Sequence, residues 1–91
     1  MPGDQDRVVD AVKRMVIAES RISLDPGALS VDEPLNGQVL RVTSVGFLSM
    51  LIRLEEELDV VLPDDLFAGR TFRTVADLVD VVLPTYLKEV G

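Results

Sequence analysis

Residues 41–63, RVTSVGFLSMLIRLEEELDVVLP, read as one helix with a hydroxyl-lined mouth. Val45, Leu48, Leu51, Ile52 and Leu58 recur at helical spacing, and Phe47 and Leu54 widen the apolar face, so the pattern predicts a helix over 44–58. Thr43 stands at the N-cap position, where its hydroxyl oxygen can accept from the unpaired first-turn N–H groups, a contact of about 1 kcal/mol. Ser44 follows as the first helical residue. The same place has a second chemical use. A helix start gathers free N–H groups and the positive end of the dipole, which together stabilise a phosphate held there. Gly46 leaves room for another protein to approach. Glu55, Glu56 and Glu57 crowd the far end against the dipole, as recognition charge or as a solvated face. Adjacent helical residues point apart, so these three are poorly placed to ligate one metal ion.

Working outward, residues 6–19 carry Val8, Val12 and Met15 with Val9 and Val16 on the neighbouring stripe, which predicts an amphipathic helix capped by Asp4 or Asp6. Residues 20–43 break the pattern with prolines, glycines and Ser, Asp and Asn residues, and Ser20, Ser23 and Ser30 read as turn formers. The Leu24, Leu29, Val31, Leu35 and Leu40 side chains are too many for a free linker and predict a long loop pinned over a bundle. Asp64 or Asp65 can cap a single turn that Gly69 ends. The last helix starts at Thr74 with Asp77 as an approximate capping box, and Val75, Leu78, Val79 and Val82 form its inner stripe. Pro84 should end or kink it, because its ring collides with the Asp80 carbonyl. The fold class is all-α: a small four-helix bundle, three main helices plus a short one, with a long loop between the first two. Residues 1–91 read as a single domain.

Composition narrows the functions. Hydrophobic residues make up 47% and Trp is absent, so the core is aliphatic. Nine basic against sixteen acidic residues give a net charge of −7, and the basic ones are scattered, which argues against nucleic acid as a ligand and for a basic partner protein. The chain has neither Cys nor His. Disulfides, thiolate nucleophiles, most zinc sites and the usual proton shuttle are thereby removed. Two-carboxylate catalysis is formally open, but no pocket motif accompanies it, and the chain reads as no enzyme. The apolar runs are too short to cross a bilayer and no signal peptide is visible, so the expectation is a cytoplasmic monomer without membrane contact.

The order of parts resembles the acyl carrier and peptidyl carrier proteins. Their attachment motif, Asp-Ser-Leu at the start of the second helix, is matched in place by Thr43-Ser44-Val45. LDPGALSVDEPL (24–35) is similar to the family's first loop, LIRLEEELDVVLPDDLF (51–67) to its Glu-rich run followed by Pro and Asp, and RTVADLVDVV (73–82) to the opening of its final helix. The resemblance covers essentially the whole chain, with four motifs in order.

It implies 4′-phosphopantetheine esterified to Ser44 by a phosphopantetheinyl transferase. The arm's thiol would carry an acyl, aminoacyl or peptidyl group as a thioester between loading and processing enzymes. Arg41, Thr43, Val45, Gly46, Phe47, Arg53, Glu55 and Glu56 are the expected docking residues. Val45, Leu48 and Ile52 are candidates for sheltering cargo between helices, although simple core packing is the plainer reading. Departures from the family pattern are Thr43 for the Asp before the serine, Arg41 for a glycine, Gly46 and Ser49 where acids are usual, and the added cation Arg53. Docking should thus lean less on upper-helix acids. The Arg-over-Lys and Val-rich composition leans toward polyketide or nonribosomal peptide biosynthesis, and the initial Met without a linker-like tail toward a free-standing protein. The alternative is a carrier-fold protein–protein interaction module that is never phosphopantetheinylated.

Overall fold

The computed structural model describes residues 2–90. In order these form α1 (Pro2–Ser20), a 3₁₀ turn (Pro26–Ala28), α2 (Ser44–Leu58), a second 3₁₀ turn (Asp64–Leu66) and α3 (Val75–Val90). The expected short helix is this second 3₁₀ turn. Both α2 and α3 pack against α1. Among the described residues the only β-type pairings are two isolated bridges, Pro34 with Thr74 and Asn36 with Arg41.

α1 starts earlier than its apolar pattern indicates. Pro2 opens it, since a missing N–H costs nothing in a first turn, and Asp4 lies within that turn rather than ahead of it. The caps expected of Asp4 or Asp6 are thus replaced by Asp4's favourable place near the positive dipole end. α1 closes with Arg21 in the left-handed region at φ 56°, where the Arg21 and Ile22 N–H groups donate to the Ala18 and Ile17 carbonyls. Val8, Ala11, Val12, Val16 and Ile17 are buried, with Val9 and Met15 half-buried beside them.

The long loop is pinned as its leucines require. Leu29, Leu35 and Leu40 are buried, and Leu24 and Val31 pack against the same cluster. Its backbone also completes α3. The Glu33 and Val31 carbonyls accept from the Val75 and Ala76 N–H groups at 3.2 and 2.8 Å, first-turn donors that have no partner within the helix. The Leu35 N–H in turn donates to the Arg73 carbonyl at 2.8 Å. Ser30 is a turn former as expected, accepting from the Asp32 N–H at 3.1 Å. Ser20 does more than turn the chain: its hydroxyl accepts from the Arg41 N–H at 2.8 Å, tying the end of α1 to the approach to α2.

One half of the capping box at α3 is present. The Asp77 carboxylate accepts from the Arg73 N–H at 2.8 Å and the Thr74 N–H at 3.1 Å. These two bonds, Arg73 first, hold its carboxyl below the usual aspartate range. A carboxyl depressed in the folded state adds stability above its unfolded pKa, and that stability is lost as pH falls through the folded one. Asp77→Asn should therefore flatten the fall of Tm below about pH 4. Parallel acid slopes for the two proteins in thermal melts would contradict it.

α3 does not stop at Pro84; it continues to Val90. Pro84 sits on the solvent side, so the Asp80 carbonyl that loses its partner can face water. Buried Val82 and Tyr86 anchor the helix on either side of it. The inner stripe of Val75, Leu78, Val79 and Val82 is buried as its spacing requires.

The apolar face of α2 differs from the one its spacing suggests. Met50, Leu51, Leu54 and Leu58 are buried and Phe47 half-buried, whereas Val45, Leu48 and Ile52 are 80%, 61% and 58% exposed. The helix is rotated by about 100°, one residue's worth, from the sequence reading.

Candidate functional site

The site is the mouth of α2. Thr43 is its N-cap, with extended backbone at φ −80° and ψ 166°, and its Oγ1 accepts from the Gly46 N–H at 3.0 Å. The Phe47 N–H closes the first helical turn on the Thr43 carbonyl at 2.8 Å. Ser44 begins the helix, and its side chain lies outside the described residues. Its two neighbours, Thr43 and Val45, are both exposed. The first turn that Ser44 opens gathers free N–H groups and the positive end of the dipole, which favour a negatively charged group held there.

Gly46 has an intramolecular use that sequence spacing does not show. A Cβ built there would lie 2.8 Å from Glu19 Oε2 and 3.1 Å from Thr43 Oγ1. The missing side chain thus admits the Glu19 carboxylate, from the end of α1, against the first turn of α2. Arg53, one of the departures from the family pattern, approaches Glu19 Oε1 at 3.4 Å. Together they bring an acid within the same first turn where Thr43 replaces the more usual one. No signal in the sequence points to Glu19, because the pairing is purely tertiary.

The other expected docking residues divide. Arg41 is exposed, while its backbone is held by Ser20 and by the Asn36 bridge. Glu55 is half-buried and its carboxylate accepts from the Leu62 N–H at 2.8 Å, which fixes the turn after α2. Asp59 caps that end in the left-handed region at φ 54°. Glu57 takes the guanidinium of Arg14, which also bonds Asp10 at 2.7 Å; these contacts, Glu57 first, raise the Arg14 pKa. Of the three consecutive acids, Glu56 is left exposed without such a bond. It falls on the same helical face as Val45, Leu48, Ser49 and Ile52, so α2 shows solvent an apolar stripe with one acid at its foot. Val45, Leu48 and Ile52 therefore do not line a space between helices.

A cleft of about 330 Å³ opens beside the same mouth. Thr43, Leu35, Phe47, Phe67, Arg70 and Phe72 are among its walls. The 3₁₀ turn ends at Leu66, before Gly69; Gly69, at φ 73°, closes the turn that follows, after which Arg70 and Phe72 line the cleft with Phe67. Among the described residues no cluster of three or more potential metal-binding side chains occurs. Among the described residues no helix is long and apolar enough to cross a membrane.

Thr43 yields a direct test. Thr43→Ala should cost about 1 kcal/mol through the lost cap. Thr43→Asp should keep the cap, with its gain from the dipole offset by repulsion from the nearby Glu19 carboxylate. Thermal melts of the two variants beside the wild type check this; an unchanged Tm for Thr43→Ala would mean that the Gly46 N–H bond does not hold the helix start.

A family model described as "phosphopantetheine attachment site" matches residues 10–82. No curated protein and no solved structure matches the chain.

Proposed function

The chain belongs to the phosphopantetheine attachment site family, whose members bear 4′-phosphopantetheine covalently on a serine, and from this premise we propose that Ser44 is that serine. The observation that carries the assignment is the mouth of α2, where Ser44 opens the helix between two exposed neighbours. In the loading reaction the Ser44 hydroxyl would give up its proton and form the phosphodiester bond, and adenosine 3′,5′-bisphosphate would leave from coenzyme A. The arm's thiol holds the cargo as a thioester. Residues 1–91 act as one non-catalytic carrier domain in the cytoplasm.

Its partners are the transferase and the enzymes that load and process the cargo. The exposed stripe of Val45, Leu48 and Ile52 supports docking through apolar contact. Arg41 and Arg53 flank it, and Glu56 supplies acid only at its lower end. That pattern, lacking acids in the first two turns of α2, favours polyketide or nonribosomal peptide assembly over a system that reads an acidic upper helix.

Intact mass before and after incubation with coenzyme A, magnesium and a promiscuous phosphopantetheinyl transferase tests the reading. A gain of one phosphopantetheine is expected. No gain with several transferases would favour the other reading, a carrier-fold interaction module. Thr43, which caps the helix without supplying acid, is the observation on that side.

A further inference from the structure

The exposed apolar stripe of α2 has two unlike borders. On one side it runs into an apolar groove of about 280 Å³ lined by Phe47, Leu48, Leu51, Phe67 and Ala68. On the other lies the corner where α1 ends and α2 begins, and the fold brings three arginines to it from distant parts of the chain. Arg21 follows the last residue of α1, exposed and in the left-handed region at φ 56°. Arg41 is exposed, and its N–H donates to the Ser20 hydroxyl at 2.8 Å, which places its backbone beside that of Arg21. Arg53 lies further along α2, but its side chain leans toward the helix start. There its Nη1 is 3.4 Å from Glu19 Oε1, while Glu19 Oε2 fills the space that a Cβ on Gly46 would need.

Location, rather than the lack of an ion pair, sets these cations apart. Arg70 shares a pocket with Asp77 and Asp80, Arg73 lies beside Asp77, and Arg14 pairs with Asp10 and Glu57. At the α1–α2 corner the carboxylate in contact is that of Glu19, which is 15% exposed and already against Arg53. α2 has no acid before Glu55. Magnitudes decide between this local charge and the net charge of −7. Glu56, the acid at the foot of the stripe, comes ten residues after Gly46, about 15 Å along the helix axis. At physiological salt the screening length is about 8 Å. A charged group docked on the upper stripe therefore feels the arginines and little of the foot.

We propose that the partner docking on Val45, Leu48 and Ile52 carries an apolar patch bordered by carboxylates, which meet Arg21, Arg41 and Arg53. Net charge alone points to a basic partner; this face selects an acidic rim. Guanidinium groups suit it, because each can take a carboxylate through two parallel N–H bonds. This rests on the stripe being the docking surface of the proposed carrier, and it does not require Ser44 to be modified.

The test uses the unmodified full chain and two synthetic amphipathic helical peptides with the same leucine face, one edged with glutamate and the other with lysine. Backbone-amide NMR titrations at about 0.15 M salt report affinity and location together. The glutamate-edged peptide is expected to bind at least about fivefold more tightly, with shifts at Val45, Leu48, Ile52, Arg41 and Arg53. Arg21→Gln combined with Arg41→Gln should remove that preference and keep the fold. Both side chains are exposed, and the bond to Ser20 uses a backbone N–H that glutamine retains. Lys88→Gln, in the last turn of α3, should leave the preference unchanged. Tighter binding of the lysine-edged peptide, or a glutamate preference that survives the double substitution, overturns the proposal while the stripe remains a docking surface. No shift along the stripe with either peptide overturns the docking reading with it. Shifts there that grow with protein concentration alone would make a second copy the occupant and overturn it too. A failed gain of phosphopantetheine sinks the carrier reading separately, since these titrations need no arm.

Discussion

Ser44→Ala is expected to abolish the gain of phosphopantetheine completely while leaving the fold intact. The stabilising bond at the mouth of α2 runs from the Gly46 N–H to Thr43 Oγ1, and the first turn closes on the Thr43 carbonyl, so neither needs the serine hydroxyl. Alanine is also the better helix former, and the stability change should stay within about 0.5 kcal/mol. Circular dichroism and thermal melts then separate lost chemistry from lost structure. Two other hydroxyls lie close in sequence. Thr43 is exposed, but its oxygen is engaged in the cap. Ser49 is exposed beside Leu48 and Ile52, beyond the first turn, and has no helix-start N–H groups to steady a phosphodiester. Ser49→Ala should therefore modify like the wild type. A Ser44→Ala protein that still gained the arm would move the site to one of these two.

What could be read from the sequence was what local chemistry decides. Thr43 as a cap and the carboxylate of Asp77 reaching back at α3 each depend on a few neighbouring atoms. The pinning of the long loop was also legible, because Leu29, Leu35 and Leu40 had no other means of leaving water. Legibility failed where several arrangements satisfied the same local rules. α2 carries apolar residues around most of its circumference, so spacing alone did not choose between Val45, Leu48 and Ile52 on one side and Phe47, Met50 and Leu54 on the other. The choice is made by α1, whose stripe of Val8, Val12 and Val16 must be covered. At Pro84 the helix runs on where the sequence allowed an end, for a related reason: a rule about one backbone bond gave way to the burial of Val82 and Tyr86 around it. The mouth of α2 was recognisable from Thr43, Ser44 and Val45. Its surroundings were not, since Glu19, Arg70 and Phe72 reach it from residues far away in the chain.

The rotation of α2 carries the largest stability prediction. Leu54 is 0% exposed, and Leu54→Ala should cost about 3 kcal/mol, the lost transfer energy plus the cavity left in a close-packed core. A domain of this size has a total stability of roughly 5–14 kcal/mol, so a large share disappears, and Tm should fall by about 15 °C. Ile52, two residues earlier and chemically almost the same, is 58% exposed. Ile52→Ala removes little buried surface and improves helix propensity, so its effect should lie within about 0.5 kcal/mol. Denaturant unfolding of the two variants side by side measures the difference directly. Equal losses would place Ile52 in the core, restore the face that spacing suggested, and remove the apolar stripe from the docking argument. A large loss for Leu54 alone leaves Ile52 exposed for a reason other than folding. In that case Ile52→Ala should slow cargo transfer from a loading enzyme while the protein still accepts its arm, because it removes contact surface without touching Ser44.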